Sequence, residues 1–165
     1  MEKGFEGFEK VMKNLNEEIS GIKGRTQKGL IRAGLKIRRE SMKNAPVVTG
    51  NLKASAFTVF GKGVAAGSNP SFEGENASKL ATDHASLTSS LQHGGKLEPY
   101  VYVGHSAFYT VYVHESPGAG TGTMDPNTPA YKQASEVGTW KFLEKAIRDN
   151  EKDIVSLVKK EAEVK

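Results

Sequence analysis

The sequence predicts an α+β fold, a small mixed or antiparallel sheet packed by an N-terminal helix pair and a long C-terminal helix, with extended assembly loops. Three observations carry this reading. Apolar residues recur at three- and four-residue spacing toward both ends of the chain, the period of an amphipathic helix. Aromatic and β-branched residues concentrate around Phe57–Phe60 and Tyr100–Val103, as strands require. The 165 residues suit one ordinary domain with its own core, whereas two would be cramped.

The first predicted helix covers residues 5–19, with Phe5, Phe8, Val11, Met12, Leu15 and Ile19 on one face. Gly21 and Gly24 predict a break or hinge after it. A second helix over residues 26–44 stops before Pro46, whose ring disfavours helical geometry at Ala45. Leu30, Ile31, Gly34, Leu35, Ile37, Ser41, Met42 and Ala45 occupy its broad apolar side, and Arg38 alone among the cations falls toward them. Residues 51–60 read as a strand with aromatics on both faces, hence buried on both.

From residue 61 to 99 Gly, Ser, Asn and Thr dominate, which predicts an extended loop, with a hairpin arm or a short helix near residues 86–91 as possible local structure. Tyr100-Val101-Tyr102-Val103 is the strongest strand signal and should pair with the Phe57 strand. Residues 107–115 read as a helical turn leading into an extended segment, and residues 116–129, rich in Gly and Pro, as a second extended loop. The final helix, residues 139–161, aligns Trp140, Leu143, Ile147, Ile154 and Val158. Phe142 and Ala146 fall off that stripe, for a neighbouring loop or a subunit interface to cover.

Several chemistries find little support. Without cysteine there is no disulfide, thiolate or Cys-based zinc site. Gly61-Lys62-Gly63-Val64-Ala65-Ala66-Gly67-Ser68 lacks the terminal Gly-Lys-Ser/Thr of a phosphate loop and reads as a flexible loop. His84, His93, His105 and His114, with Asp83 and Glu115, show no helical i, i+4 His pairing, and no Gly-x-Ser-x-Gly elbow marks a nucleophile. The expectation is therefore no enzyme, no metal and no cofactor; a small metal-assisted nuclease is the main enzymatic rival. No apolar run approaches the roughly 18 residues of a membrane span, and Met1 is followed by Glu2, Gly4 and Glu6, so a cytoplasmic product is expected.

The net charge of +4 is modest, but Arg25, Lys28, Arg32, Lys36, Arg39 and Lys43 crowd one face of the second helix against the single acid Glu40. Like charges one turn apart each cost a few tenths of a kcal/mol. The stripe is either a solvated outer face or a contact surface for phosphate backbone or an acidic protein face, and Coulomb attraction does not choose between the last two. A DNA-binding protein using the basic helix 25–43 is the alternative function, although aromatic interleaving and a helix-turn-helix pattern are absent.

The order and spacing of three motifs add a resemblance. Ala45-Pro46-Val47-Val48-Thr49-Gly50-Asn51-Leu52-Lys53-Ala54-Ser55 after a basic helix, then Val103-Gly104 with Tyr109, Tyr112, Val113, His114 and Glu115, then Trp140-Lys141-Phe142-Leu143 resemble the HK97 gene-product-10 type of phage proteins over residues 29–147. Here Ser116-Pro117-Gly118 follows the second motif, where the family usually continues with an acidic residue, an aromatic or aliphatic residue and Gly-Thr. The resemblance implies a structural tail-completion or tail-terminator protein of the bacteriophage neck, a head-tail connector component found in the virion and assembled in the host cytoplasm. It further implies a homo-oligomeric, hexameric ring that meets tail-tube and head-side connector proteins, with non-specific DNA contact possible and no membrane role. Pro46, Thr49, Gly50, Leu52, Ser55, Gly104, Tyr109, Tyr112, His114, Glu115, Phe142 and Leu143 are its structural motif residues.

Overall fold

The computed structural model describes residues 3–93, 99–117 and 138–163, with elements α1 (Lys3–Asn44), α2 (Asn51–Ala54), β1 (Ala56–Phe60), β2 (Gly63–Ala66), α3 (Ala77–His93), β3 (Val101–His105), α4 (Thr110–His114), α5 (Phe142–Asp149) and α6 (Glu151–Ala162). The fold is α+β. Its sheet is three-stranded and antiparallel in the order β2-β1-β3, and the expected pairing of the Phe57 and Tyr100 strands is present, with Phe57 opposite Gly104 and Val59 opposite Tyr102. Among the described residues no helix is long and apolar enough to cross a membrane.

The N-terminal helix pair is one helix. Gly21 and Gly24 lower helix propensity without breaking α1, since a glycine in a helix costs about 1 kcal/mol and removes no hydrogen bond. The second half of α1 is the spine of the fold. On one side Gly34 lies against Thr58, Val101 and Val103 of the sheet; on another Gly29 lies against the backbone of Val158 in α6. At both places the missing side chain is what allows the close approach.

The central strand β1 is buried on both faces, as its aromatics predict. Phe57 points to α3, where its ring meets His84 edge-on, and Thr58 points to Gly34 of α1. Gly104 leaves the space its cross-strand neighbour Phe57 fills, so a Cβ there would stand 3.0 Å from the ring. The sheet is thus held between α3 and α1, and α5 and α6 pack on α1.

The structure corrects four further expectations. Residues 61–93 are not an extended loop: Gly63–Ala66 is β2, which forms the expected hairpin with β1, and the helix expected near 86–91 is the longer, 17-residue α3 (Ala77–His93). Residues 51–54 are a helical turn before the strand, held by Asn51, whose amide donates to Glu73 O at 2.9 Å and accepts from Glu73 N–H at 2.9 Å. Residues 110–114 are helical instead of extended. The expected C-terminal helix is present as α6, packed on α1, but the span 139–161 is not continuous: a separate α5 precedes α6, and the two meet at Asn150, whose side chain donates to Ala146 O. Phe142 and Ala146, expected off the stripe, form the fully buried face of α5, while Trp140 and Ile147 of the stripe are exposed. The expected loop at 116–129 lies, after Pro117, outside the described residues.

Candidate functional site

Leu52, Ser55, Tyr109, His114, Phe142 and Leu143 of the motifs lie in or beside one packed node, where the end of α1, α2, α3, the end of β3, α4 and the start of α5 meet. Thr49, Tyr112 and Glu115 are exposed, and Gly104 lies against Phe57 in the sheet. Ala45, Leu52, Leu80, Ala107 and Phe142 form the node's buried centre, with Phe72, Tyr109, Val113 and Leu143 packed around them. Gly50 leads into α2 with φ 82°, a left-handed conformation that Gly adopts at little cost. Ser55 donates to Leu52 O at 2.8 Å and so closes the turn. Pro46 is buried, Thr49 is exposed, and burial raises the Tyr109 phenol above its ordinary pKa, against a hydrogen bond with Thr49 that lowers it. Two main-chain bonds bring the last segment in: Thr139 N–H to Asn44 O and Lys141 N–H to His114 O, both 2.7 Å.

Histidines occupy structural positions in and beside this node. His105 Nδ1–H donates to Leu52 O at 2.8 Å and Nε2 accepts from the Ser41 hydroxyl at 2.7 Å. His84 repeats the scheme across the sheet, with Nε2–H donating to Gly67 O at 2.5 Å and Nδ1 facing the Ser106 hydroxyl at 2.7 Å. His105 and His114 both set ring edges against Phe142, at 5.1 and 5.0 Å between centroids. His114 Nδ1 meets Glu115 Oε1 at 2.6 Å, and His93 is exposed near the end of α3, bonded to Ser89 O. Asp83 pairs with Lys79. Among the described residues no three metal-ligating side chains gather.

Burial depresses His105 to a pKa of about 4, aided by the neighbouring Arg38 and His114 and opposed by the Leu52 carbonyl. The unfolded chain, with an ordinary histidine pKa near 6.5, binds the proton more readily, so stability falls as pH drops from about 6.5 to 4. The loss by pH 4 should reach about 3 kcal/mol. Denaturant midpoints taken across this window check it. His105→Gln should lose much of that slope, and an undiminished slope would place the titration elsewhere.

The basic stripe is less free than its sequence implies. Arg32 pairs with Glu161 and Lys36 with Asp153, both on α6, while Arg25 pairs with Glu18 at 3.1 Å and Lys43 with Glu40 at 2.7 Å. Acidic relief therefore comes from the far end of the chain. Lys28 and Arg39 are exposed and have no carboxylate partner among the described residues. Arg38, turned inward as expected, donates from Nε to Ala56 O at 3.0 Å, and burial lowers its pKa.

Two apolar surfaces complete the inventory. Phe108, Val111 and Tyr112 stand exposed around α4, with Lys79 Nζ 4.6 Å from the Phe108 ring centroid. Phe8, Val11, Met12, Leu15, Ile19 and Ile22 stand exposed along the first half of α1. Neither exposed apolar patch is singled out by the sequence, although Tyr112 and the α1 spacing are the available signals. Comparison with protein-family models, curated proteins and solved structures found no match for this chain.

Proposed function

We propose that this chain is a structural assembly subunit, a bacteriophage neck component of the tail-completion or tail-terminator kind that forms a ring joining the tail tube to the head-side connector. The supporting observation is the division between interior and surface. Leu52, Ser55, Tyr109, His114, Phe142 and Leu143, which carry the resemblance, lie in or beside one packed node, so their pattern serves a scaffold. Tyr112 and Glu115 of the same motif remain exposed beside Phe108 and Val111, where a neighbouring subunit can reach them. The edge strands β2 and β3 are short, and a neighbour could complete either.

The test is the location of the protein in purified virions. Labelled protein at the neck or tail end, in images of particles and isolated tails, is the expected result. Its absence from purified virions would end the reading.

DNA binding through the basic helix is the weaker alternative, because Arg32 and Lys36 are engaged by α6 carboxylates. Duplex affinity should be low and change little with salt; a steep linear decline of log affinity with log salt would move DNA binding ahead. Replacing Lys28 and Arg39 together by glutamate should leave the melting temperature within about 2 °C while reducing assembly, since neither has a described ionic partner to lose. Arg32→Glu differs, as it sets two acids together at the α1–α6 contact and should lower stability as well.

A further inference from the structure

We infer that the first half of α1 is a homotypic pairing surface, on which Phe8, Met12, Leu15, Ile19 and Ile22 of two copies of this chain form a short parallel coiled coil. These residues are separated by 4, 3, 4 and 3 positions, the a/d repeat of a helix that packs along another helix. They are 38% to 63% exposed, and Val11 beside them is 62% exposed.

The same seam continues through Thr26, Gly29 and Ala33, where the chain already covers it with a helix. Gly29 meets α6 at Val158, and Ala33 is buried. Before Gly29 the seam has no cover among the described residues: from Gly7 to Gly24 every residue except Gly21 is exposed. This arm contains Gly7, Gly21 and Gly24, each costing about 1 kcal/mol of helix propensity. A helix so composed gains most of its stability from packing an apolar face.

The flanking charges favour a second copy as the occupant. With Ile19 at a and Leu15 at d, Glu18 falls at g and Lys23 at the following e, so two parallel chains in register place Glu18 of each, already paired with its own Arg25, near Lys23 of the other. An antiparallel pair centred on Leu15 and Ile19 would instead set Glu18 against Glu18. Five large apolar residues exposed in one row make a patch comparable to the largest on an ordinary monomer, roughly 300–600 Å². Two such faces would remove about 1,000 Å², near the lower bound for a specific interface, which fits pairing reinforced by contacts elsewhere.

This pairing goes beyond the ring and does not require it, because a ring can close through the bodies with the arms apart. The cysteine-free chain permits a direct test. Under mild oxidation, full-length Leu15→Cys should form a disulfide dimer at least about tenfold faster than Lys13→Cys, whose side chain points to solvent. Leu15→Asp combined with Ile19→Asp should lower the sedimentation mass at the same protein concentration. Equal and slow oxidation of the two cysteine variants, with an unchanged mass for the aspartate variant, would overturn the pairing while leaving a ring possible. A rapid Leu15→Cys dimer in a protein whose native mass never exceeds two chains would support the pairing and count against the ring.

Discussion

Phe142→Ala should destabilise the fold by about 3–5 kcal/mol, enough to leave a marginal domain partly unfolded at 37 °C. Phe142 is fully buried and, among the described residues, the largest completely enclosed side chain. Its ring supports both His105 and His114 and fills the centre shared with Leu52, Leu80 and Ala107. Truncation leaves a cavity bounded by segments far apart in sequence, which cannot all close on it together. Val111→Ala, at a position 70% exposed, should change stability by less than about 0.5 kcal/mol. Chemical denaturation of the two variants checks the contrast, and similar midpoints would refute the placement of Phe142.

Gly67→Ala should destabilise by at least about 3 kcal/mol. Gly67 has φ +80°, and a Cβ there would stand 2.2 Å from Ala56 O and 3.1 Å from Phe57 Cα, main-chain atoms of the central strand. Its carbonyl also accepts the hydrogen bond from the buried His84, so displacing the turn disturbs α3. Gly74 provides the control: its φ is +81°, but a Cβ there would meet nothing within 4 Å. Gly74→Ala should therefore cost only the left-handed backbone penalty, about 1–2 kcal/mol. Comparable melting temperatures for the two variants would show that the close approach of Gly67 to β1 contributes nothing.

Much of the sheet was legible because its signals are local. Phe57 and Val59 alternate with Thr58, Tyr100–Val103 is rich in β-branched and aromatic residues, and the two segments pair as expected. The helix α3 was legible only as a short helix near residues 86–91, because its buried face is Leu80, His84 and Thr88. Two of those three are polar and bond to Gly67 O and to the helix's own carbonyls, so no apolar period reveals the face. The C-terminal stripe misled for a different reason. A wheel drawn through Asn150 assumes one helix, whereas α5 starts after Lys141 at φ 53° and α6 restarts beyond Asn150, so one wheel averages two faces.

The candidate site was legible as a pattern but not as a place. The motif residues were found by order and spacing, yet the convergence of Leu52, Tyr109, His114 and Leu143 around Phe142 depends on bonds such as Lys141 N–H to His114 O that no spacing encodes. The basic stripe was read on the correct helix, while its neutralisation was hidden because Arg32 and Glu161 lie 129 residues apart. The apolar residues on the first half of α1 were assigned to a helix correctly. Sequence periodicity identifies such a face without saying whether the chain itself covers it.

The native mass of the full chain in solution, measured by light scattering over a wide range of concentration, tests the assembly role most directly. A closed oligomer of fixed stoichiometry, near six times the 17.8 kDa chain, is the predicted result. A mass of one chain at every concentration would contradict it.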